Sequence, residues 1–218
     1  MEKFLDFFTN ILLEALGQTI YMVGVSTILA TIIGFILDII LVVTDEKGLK
    51  PNKIINSVLG TIINVFRSFP FIILVVAIIP LTRLIVGKYI GETAALVPLT
   101  IGAAPFIARV IEGALKEVDS GLIEAAKSFG ASNMQIIFKV MIKEALPSIV
   151  SGITLSIISI IGYSAMAGTV GAGGVGAIAL TYGYQRYDTA VMYYTVITLI
   201  IIVQLLQGVG NLAYKKLK

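Results

Sequence analysis

Long, uncharged apolar runs follow one another along this chain and restrict its fold more than any other feature. A helix needs roughly 20 mostly apolar residues to cross the hydrocarbon core of a bilayer. Five runs reach that length, at about 20–43, 54–84, 93–115, 145–167 and 190–214, and the second contains Pro70 and Pro80. Only 13% of the residues are charged, whereas soluble domains have about a quarter. The sequence therefore predicts an all-α integral membrane protein, with residues 1–218 forming a single domain of five transmembrane helices.

The composition also excludes several kinds of chemistry. The chain contains no Cys, His or Trp, so it offers no thiol nucleophile, disulfide, imidazole ligand or histidine proton shuttle. No paired carboxylates or activated nucleophile occur within the apolar runs, and we expect no catalytic residue, metal or cofactor site in this chain. Its basic residues are scattered through the ends of the runs instead of forming a stripe, which argues against nucleic acid as a partner.

The basic residues instead predict the orientation, because short cytoplasmic loops of membrane proteins are enriched in Lys and Arg. One side collects Lys47, Lys50, Lys53, Arg109, Lys116, Lys127, Lys139, Lys143, Lys215, Lys216 and Lys218. The other side has only Lys3, Arg83, Lys88 and Arg186. This distribution places the N-terminus outside and the C-terminus in the cytoplasm. The acidic, amphipathic stretch 1–17 is expected to remain as an interfacial helix.

The segment between the third and fourth runs predicts a short helix over about 120–130. Asp119 or Ser120 can cap its start, and Gly130 can end it in a left-handed conformation. Ser132 and Gln135 have the spacing of a capping box, which begins the next helix. Apolar residues recur at helical spacing within the short helix, at Leu122, Ala125, Ala126 and Phe129. Such a helix can dock in a groove of another protein or rest on lipid headgroups.

The order of residues in this segment favours the docking interpretation. Glu124, Ala125, Ala126 and Gly130 form the pattern Glu-Ala-Ala-x-x-x-Gly, which resembles the coupling motif of permease subunits of ATP-binding-cassette importers. The resemblance covers about residues 17–214 and is closest to the permeases of bacterial methionine importers, on stretches 66–74, 97–109, 162–166 and 170–176. The chain departs from the family at Lys143, where a Pro is expected.

The resemblance implies a type I importer permease that works as a homodimer in the bacterial inner membrane. It implies two further partners, a dimer of cytoplasmic ATPase subunits that uses ATP and Mg²⁺, and an extracytoplasmic methionine-binding lipoprotein. Methionine is then the expected substrate, with both the L-form and the D-form open. The residues expected to couple to the ATPase are Leu122, Glu124, Ala125, Ala126, Phe129 and Gly130.

The fourth run carries a stripe of small and hydroxyl residues with two interpretations. Gly152, Ser156, Ser159, Tyr163 and Met166 follow one another at spacings of three or four and so share a helix face. Such a face can serve tight helix packing in lipid. It can also line a pathway across a dimer axis, with Tyr163 and Met166 as gate residues, since an unbranched Met suits a reversible apolar plug.

Arg67 is the ionisable residue most expected to lie within a run. It can line the pathway, or it can be structural and extend to the surface. Arg109 and Glu112 are three residues apart, which is typical of an ordinary helix-surface pair; the alternative is that they brace the coupling segment.

Three rival functions remain open. The chain can be an importer permease for another small amino acid, an ion channel or an ion-coupled secondary transporter. Residues 169–173 resemble part of a potassium-channel filter, although the aromatic residue is missing. Ion-coupled transport usually needs carboxylates in the membrane or broken helices in two repeated halves, and neither is evident. Gly171, Gly173 and Gly176 match a dinucleotide fingerprint only in spacing, and we interpret them as a flexible connection between packed helix ends.

Overall fold

The computed structural model describes residues 11–218, and within them the chain folds into helices joined by short turns, without β-strands. The helices are α1 (Leu13–Thr44), α2 (Lys53–Ser68), α3 (Phe71–Ala77), α4 (Ile79–Val86), α5 (Glu92–Lys116), α6 (Ser120–Ser128), α7 (Asn133–Gly168), α8 (Gly174–Ile178) and α9 (Thr189–Leu217). A π-helical segment, Ile136–Met141, lies within α7, and a second one, Ala179–Gln185, continues α8.

Four of these helices are long and apolar enough to cross a membrane, namely α1, α5, α7 and α9. A fifth crossing requires α2 and α3 to count together, and these two helices meet at a bend of 102°. The all-helical membrane fold expected from the sequence is confirmed, and the number of spans is four or five.

The second predicted span is not one continuous helix, which corrects the expectation for residues 54–84. Proline disfavours the α conformation in the residue before it, and Phe69 is extended, with φ −71° and ψ 126°. α3 then begins after Pro70, and a further break at Ile78 separates it from α4, which has Pro80 in its first turn. The two prolines therefore divide the run into three helices.

The first helix begins earlier than predicted. α1 starts at Leu13, so residues 13–17 belong to it and not to a separate interfacial helix; residues 1–10 of that predicted helix lie outside the described residues. The polar side chains of this first part of α1 have partners on α8. Gln18 accepts a hydrogen bond from the Gly174 backbone N–H at 2.7 Å, and Thr19 accepts one from Val175 at 2.9 Å.

α5 lies at the centre of the packing, between α1 and α7. Its residues Leu99, Ile107 and Ile111 have no exposed surface. α1 approaches α5 closely at Gly34, where a Cβ atom would lie 2.9 Å from the carbonyl oxygen of Ala104. Small residues allow such close approach between membrane helices, where van der Waals packing replaces the hydrophobic drive.

The glycine-rich stretch after α7 forms a tight turn into α8. Gly171, Gly173 and Gly174 all have left-handed φ values, at 89°, 85° and 82°. α8 packs directly on α7, since a Cβ on Gly168 would lie 2.6 Å from the backbone nitrogen of Ala177. The close packing agrees with our interpretation of this stretch, whereas α8 itself was missed.

Candidate functional site

The short helix α6 has the boundaries that its capping residues predict. Asp119 accepts a hydrogen bond from the Gly121 N–H at 2.6 Å, and Gly130 takes a left-handed φ of 76°. The capping box is also present, because Ser132 accepts from the Gln135 N–H at 3.4 Å and Gln135 accepts from the Ser132 N–H at 2.8 Å. These local bonds fix α6 as a separate helix between two long ones.

The predicted apolar residues of α6 do not all lie on one side of it. Ala126 turns inward and, with Ile123, packs against the main hydrophobic core. Leu122 and Phe129 are 43% and 91% exposed, and Ala125 is exposed between them. We call Leu122, Ala125 and Phe129 the outward face of α6. Glu124 is also exposed, as is Gly130, and so none of the predicted coupling residues is buried.

The start of α7 continues as a helix through Lys143, where the family pattern has a proline. The π-helical segment Ile136–Met141 connects the capping box to the long α-helical part of α7, which begins at Ile142. Ile136, Ile137 and Met141 of this segment are buried. A π-helical segment, in place of a proline, therefore lies just before Lys143 and beside α6.

Four charged side chains form an ion network beside α6. The Glu112 carboxylate contacts the Arg109 guanidinium at 2.6 Å and the Lys116 ammonium at 2.9 Å. Lys116 also contacts Asp45 at 2.7 Å. Arg109 extends the network to α2 by donating to the Gly60 carbonyl oxygen at 3.2 Å and to Asn64 at 3.1 Å. Instead of an ordinary surface pair, these residues hold the ends of α1 and α5 to α2.

The network changes the protonation behaviour of Asp45. The hydrogen bond from Lys116 holds the pKa of the Asp45 carboxyl below its usual value, with a second contribution from the Lys47 backbone N–H.

Asp38 lies two turns earlier on α1 and is fully buried. Neither of its carboxyl oxygens has a hydrogen-bond partner among residues 11–218.

The predicted stripe on α7 divides into two parts. Gly152 and Ser156 are buried inside the chain, where Ser156 donates to the Gly152 carbonyl oxygen at 2.8 Å and Gly152 packs on Val110 of α5. The position of these two residues therefore fits tight helix packing, the first of the two interpretations of the stripe. Ser159 lies partly buried at the transition and donates to the Leu155 carbonyl oxygen at 3.1 Å.

The other half of the stripe reaches the surface. The Tyr163 ring stacks on Phe71 of α3 with centroids 4.5 Å apart and an angle of 10° between the planes. Met166 is 47% exposed. The structure thus brings Tyr163 to the bend after α2, while Ser156 lies away from any surface that a partner could contact.

Arg67 lies at this same bend, beside a small cavity. The cavity has a volume of about 120 Å³, and we call it the aromatic cavity because it is lined by Arg67 together with five rings, those of Phe66, Phe69, Phe71, Phe106 and Tyr163. Sequence reasoning selected Arg67 and Tyr163 but missed the phenylalanines, although three of them lie within four residues of Arg67. Residues 11–218 contain no cluster of acidic side chains that could hold a metal ion.

A bundle of helices long and apolar enough to cross a membrane, with a capped and exposed helix between two of them, is the fold of a multi-pass membrane protein. Residues 30–218 match the family described as binding-protein-dependent transport system inner membrane component. The chain belongs to this family.

Individual relatives are more specific. The chain is 51% identical over 203 residues to the probable D-methionine transport system permease protein of Vibrio cholerae, covering 93% of this chain and 90% of that protein. It is 46% identical over 173 residues to the methionine import system permease protein of Bacillus subtilis, covering 79% and 78%. A chain of the MetNI methionine ABC transporter in inward-facing conformations superposes with a TM-score of 0.94 at 45% identity, covering 95% of this chain and 96% of that chain. The resemblance predicted from the sequence is confirmed.

Proposed function

We propose that this chain is the permease subunit of an ATP-driven methionine importer. The observation that carries the proposal is the outward face of α6, an exposed apolar surface on a helix capped at both ends. The similarity to methionine permeases of other bacteria supports methionine as the substrate. Two copies of the chain form the translocation pathway, with N-termini outside and C-termini in the cytoplasm.

Each partner in this proposal has a separate role. A cytoplasmic dimer of ATPase subunits binds ATP and Mg²⁺ and performs the hydrolysis, whereas the present chain makes no covalent step. An extracytoplasmic lipoprotein delivers methionine in its L-form or its D-form. Since α6 is anchored by Ile123 and Ala126, movement of its outward face with an ATPase subunit is passed to α7 through the π-helical segment. The dimer then shifts between inward-facing and outward-facing states.

Within the pathway we assign the gate to the exposed end of the α7 stripe. Met166 is the gate residue in this proposal, because its flexible side chain is 47% exposed and can meet its copy across the dimer axis. Tyr163 and Ser159 lie one and two turns before it on the same face. Ser156 is left out of the pathway lining because it has no exposed surface.

The test measures ATP-dependent uptake of labelled methionine into vesicles that contain this chain with its ATPase, supplied with its binding protein. Phe129→Ala should lower uptake at least tenfold and reduce the ATPase recovered with the permease, because truncating an aromatic anchor in a partner's groove typically costs about 2 kcal/mol or more. Tyr193→Ala is the matched control, since Tyr193 is an exposed aromatic residue on α9, and it should leave both quantities unchanged.

Two results would contradict the proposal. Unchanged uptake in Phe129→Ala and in variants of Glu124 and Gly130 would remove the coupling role of α6. Ion flux through vesicles that contain the chain alone would instead support a channel. Wild-type uptake of another amino acid in place of methionine would change the substrate and leave the importer mechanism intact.

A further inference from the structure

The aromatic cavity lies in the middle of the membrane-spanning bundle. α2 and α5 run side by side in opposite directions, since Arg109 of α5 contacts Gly60 and Asn64 of α2. One turn further on α2, Arg67 shares the cavity with Phe106 of α5. A helix rises about 1.5 Å per residue, so Phe106 lies roughly 15 Å from the Lys116 end of α5 and roughly 21 Å from the Glu92 end.

A charged guanidinium at this depth in the membrane is energetically costly unless water or protein surrounds it. Arg67 is exposed on the single chain and makes no hydrogen bond or ion pair with the other residues in the range 11–218. Facing lipid there would cost several kcal/mol, which is why charged residues at mid-membrane depth face water-filled or protein-lined space. The surface around Arg67 therefore faces an aqueous route or a protein contact, and where it faces water an anionic ligand can reach the guanidinium.

The side chains that line the cavity also indicate which class of ligand it can bind. A guanidinium binds a carboxylate with two parallel hydrogen bonds, and aromatic rings make favourable contacts with thioether sulfur. The cavity of about 120 Å³ is close to the roughly 150 Å³ that holds one benzene molecule. This volume suits the side chain of one small amino acid.

The rings are held in place by packing. Phe71 stacks on Tyr163 and also rests on Gly102 of α5, where an added Cβ would lie 3.1 Å from the Phe71 ring. The bend at Pro70 turns α3 so that its first residue, Phe71, lies at the cavity wall. Helices α3, α5 and α7 and the bend thus contribute rings to the cavity that Arg67 also lines.

We propose that the aromatic cavity is a binding site within the permease for the transported amino acid, with Arg67 contacting its carboxylate and the rings contacting its thioether side chain. This inference rests on the proposed function as a methionine importer. It adds a site in the pathway itself, so that selectivity is not left to the binding protein alone. Both copies in a dimer carry the cavity.

The site is tested directly by photo-crosslinking of the complete importer in vesicles with photo-methionine, the diazirine analogue of methionine. Mass spectrometry should place crosslinks on this chain in peptides that contain Phe66–Phe71, Phe106 or Tyr163. Excess L-methionine should reduce them at least tenfold, whereas 3-methylthiopropylamine, which lacks the carboxylate, should compete much less. Crosslinks confined to other parts of the chain would overturn the proposal without any variant having to fold.

A lipid phosphate could use the same guanidinium, and the experiment separates the two sources. Crosslinks that resist L-methionine but disappear when phosphatidylglycerol is added to phosphatidylcholine vesicles would assign Arg67 to lipid headgroups and overturn the amino-acid site.

Uptake measurements separate this inference from the proposed function. Arg67→Gln should lower ATP-dependent methionine uptake at least tenfold, with Arg67→Lys restoring part of it and the matched control Arg83→Gln remaining within twofold of wild type. Arg83 is exposed on α4 and does not line the cavity. Normal uptake in Arg67→Gln would refute the site while the importer function stands. Absence of uptake by the wild-type complex would refute the function itself, and the crosslinking map would still decide the site.

Discussion

The ion network beside α6 predicts a measurable loss of stability when Glu112 is replaced by Gln. The Glu112 carboxylate is 8% exposed and contacts two cations, at 2.6 Å and 2.9 Å. Glutamine has the same shape, but it keeps only one acceptor oxygen and turns an amide group toward the other cation. Since this network joins the ends of α1 and α5 to α2, the substitution weakens the contact among three helices.

The magnitude follows from the exposure of each partner. A hydrogen bond to a charged group contributes about 1.5–3 kcal/mol net when it is buried. The Arg109 side chain is 25% exposed and the Lys116 side chain 45%, so water screens the second contact and brings it toward the low value typical of surface pairs. Each cation also keeps another partner, in Asn64 or Asp45. We expect Glu112→Gln to lower the free energy of unfolding by about 1–3 kcal/mol.

The assay is unfolding of the detergent-purified protein by a denaturing detergent, followed by far-ultraviolet circular dichroism. Glu117→Gln is the matched control, because Glu117 is exposed near the same helix end and has no ion pair within residues 11–218. It should stay within about 0.5 kcal/mol of wild type. Equal stability of the two variants, or a more stable Glu112→Gln, would refute the reasoning that this network joins the helices.

Three further predictions concern α1 and its end. Gly34→Ala should destabilise the fold by about 1–3 kcal/mol, because the new Cβ would lie 2.9 Å from a backbone oxygen of α5. Its control is Gly24→Ala, where the new Cβ has no neighbour within 4 Å, and which should stabilise the fold by up to about 1 kcal/mol. Equal effects of the two substitutions on thermal unfolding would contradict this prediction. Asp38→Leu should raise the unfolding temperature, because it removes two buried oxygens without hydrogen-bond partners among residues 11–218; a lower temperature would show that the carboxyl is needed. Asp45 has a lowered pKa in the folded protein, so its link to Lys116 stabilises above the ordinary pKa of about 4 and is lost as the pH falls through the lower folded value. Asp45→Asn should therefore flatten the pH dependence of unfolding as the pH falls below the ordinary carboxyl pKa of about 4, and an unchanged profile would contradict it.

Local capping chemistry made α6 predictable from the sequence. The bonds that define it join residues two or three positions apart, such as Asp119 with Gly121 and Ser132 with Gln135, and such spacings can be found without knowing the fold. The start of α8 depends instead on Gln18 and Thr19, each 156 residues away in sequence. A helix whose first N–H groups are satisfied from so far away has no local cap to reveal it.

The break in the second apolar run shows a related difference. Pro70 and Pro80 were visible, and each disfavours a continuous helix. The angle of the bend, however, depends on how Phe71 packs on Gly102 of another helix. The position of the break could therefore be predicted from local sterics, whereas its 102° angle could not.

The stripe on α7 shows why periodicity alone could not identify a pathway. In a soluble helix the polar side marks the solvent, but a membrane helix is apolar toward lipid and toward its neighbours alike, so a row of small hydroxyl residues fits packing and lining equally. Ser156 and Tyr163 illustrate the two outcomes on one face, because the first is fully buried inside the bundle whereas the second lines the aromatic cavity. The two residues differ in their neighbours, because Tyr163 lines this cavity together with Arg67. A guanidinium at mid-membrane depth requires water, an anion or protein beside it. In the proposed importer the exposed half of the stripe lies with Arg67 on the pathway side, whereas the buried half packs inside the bundle.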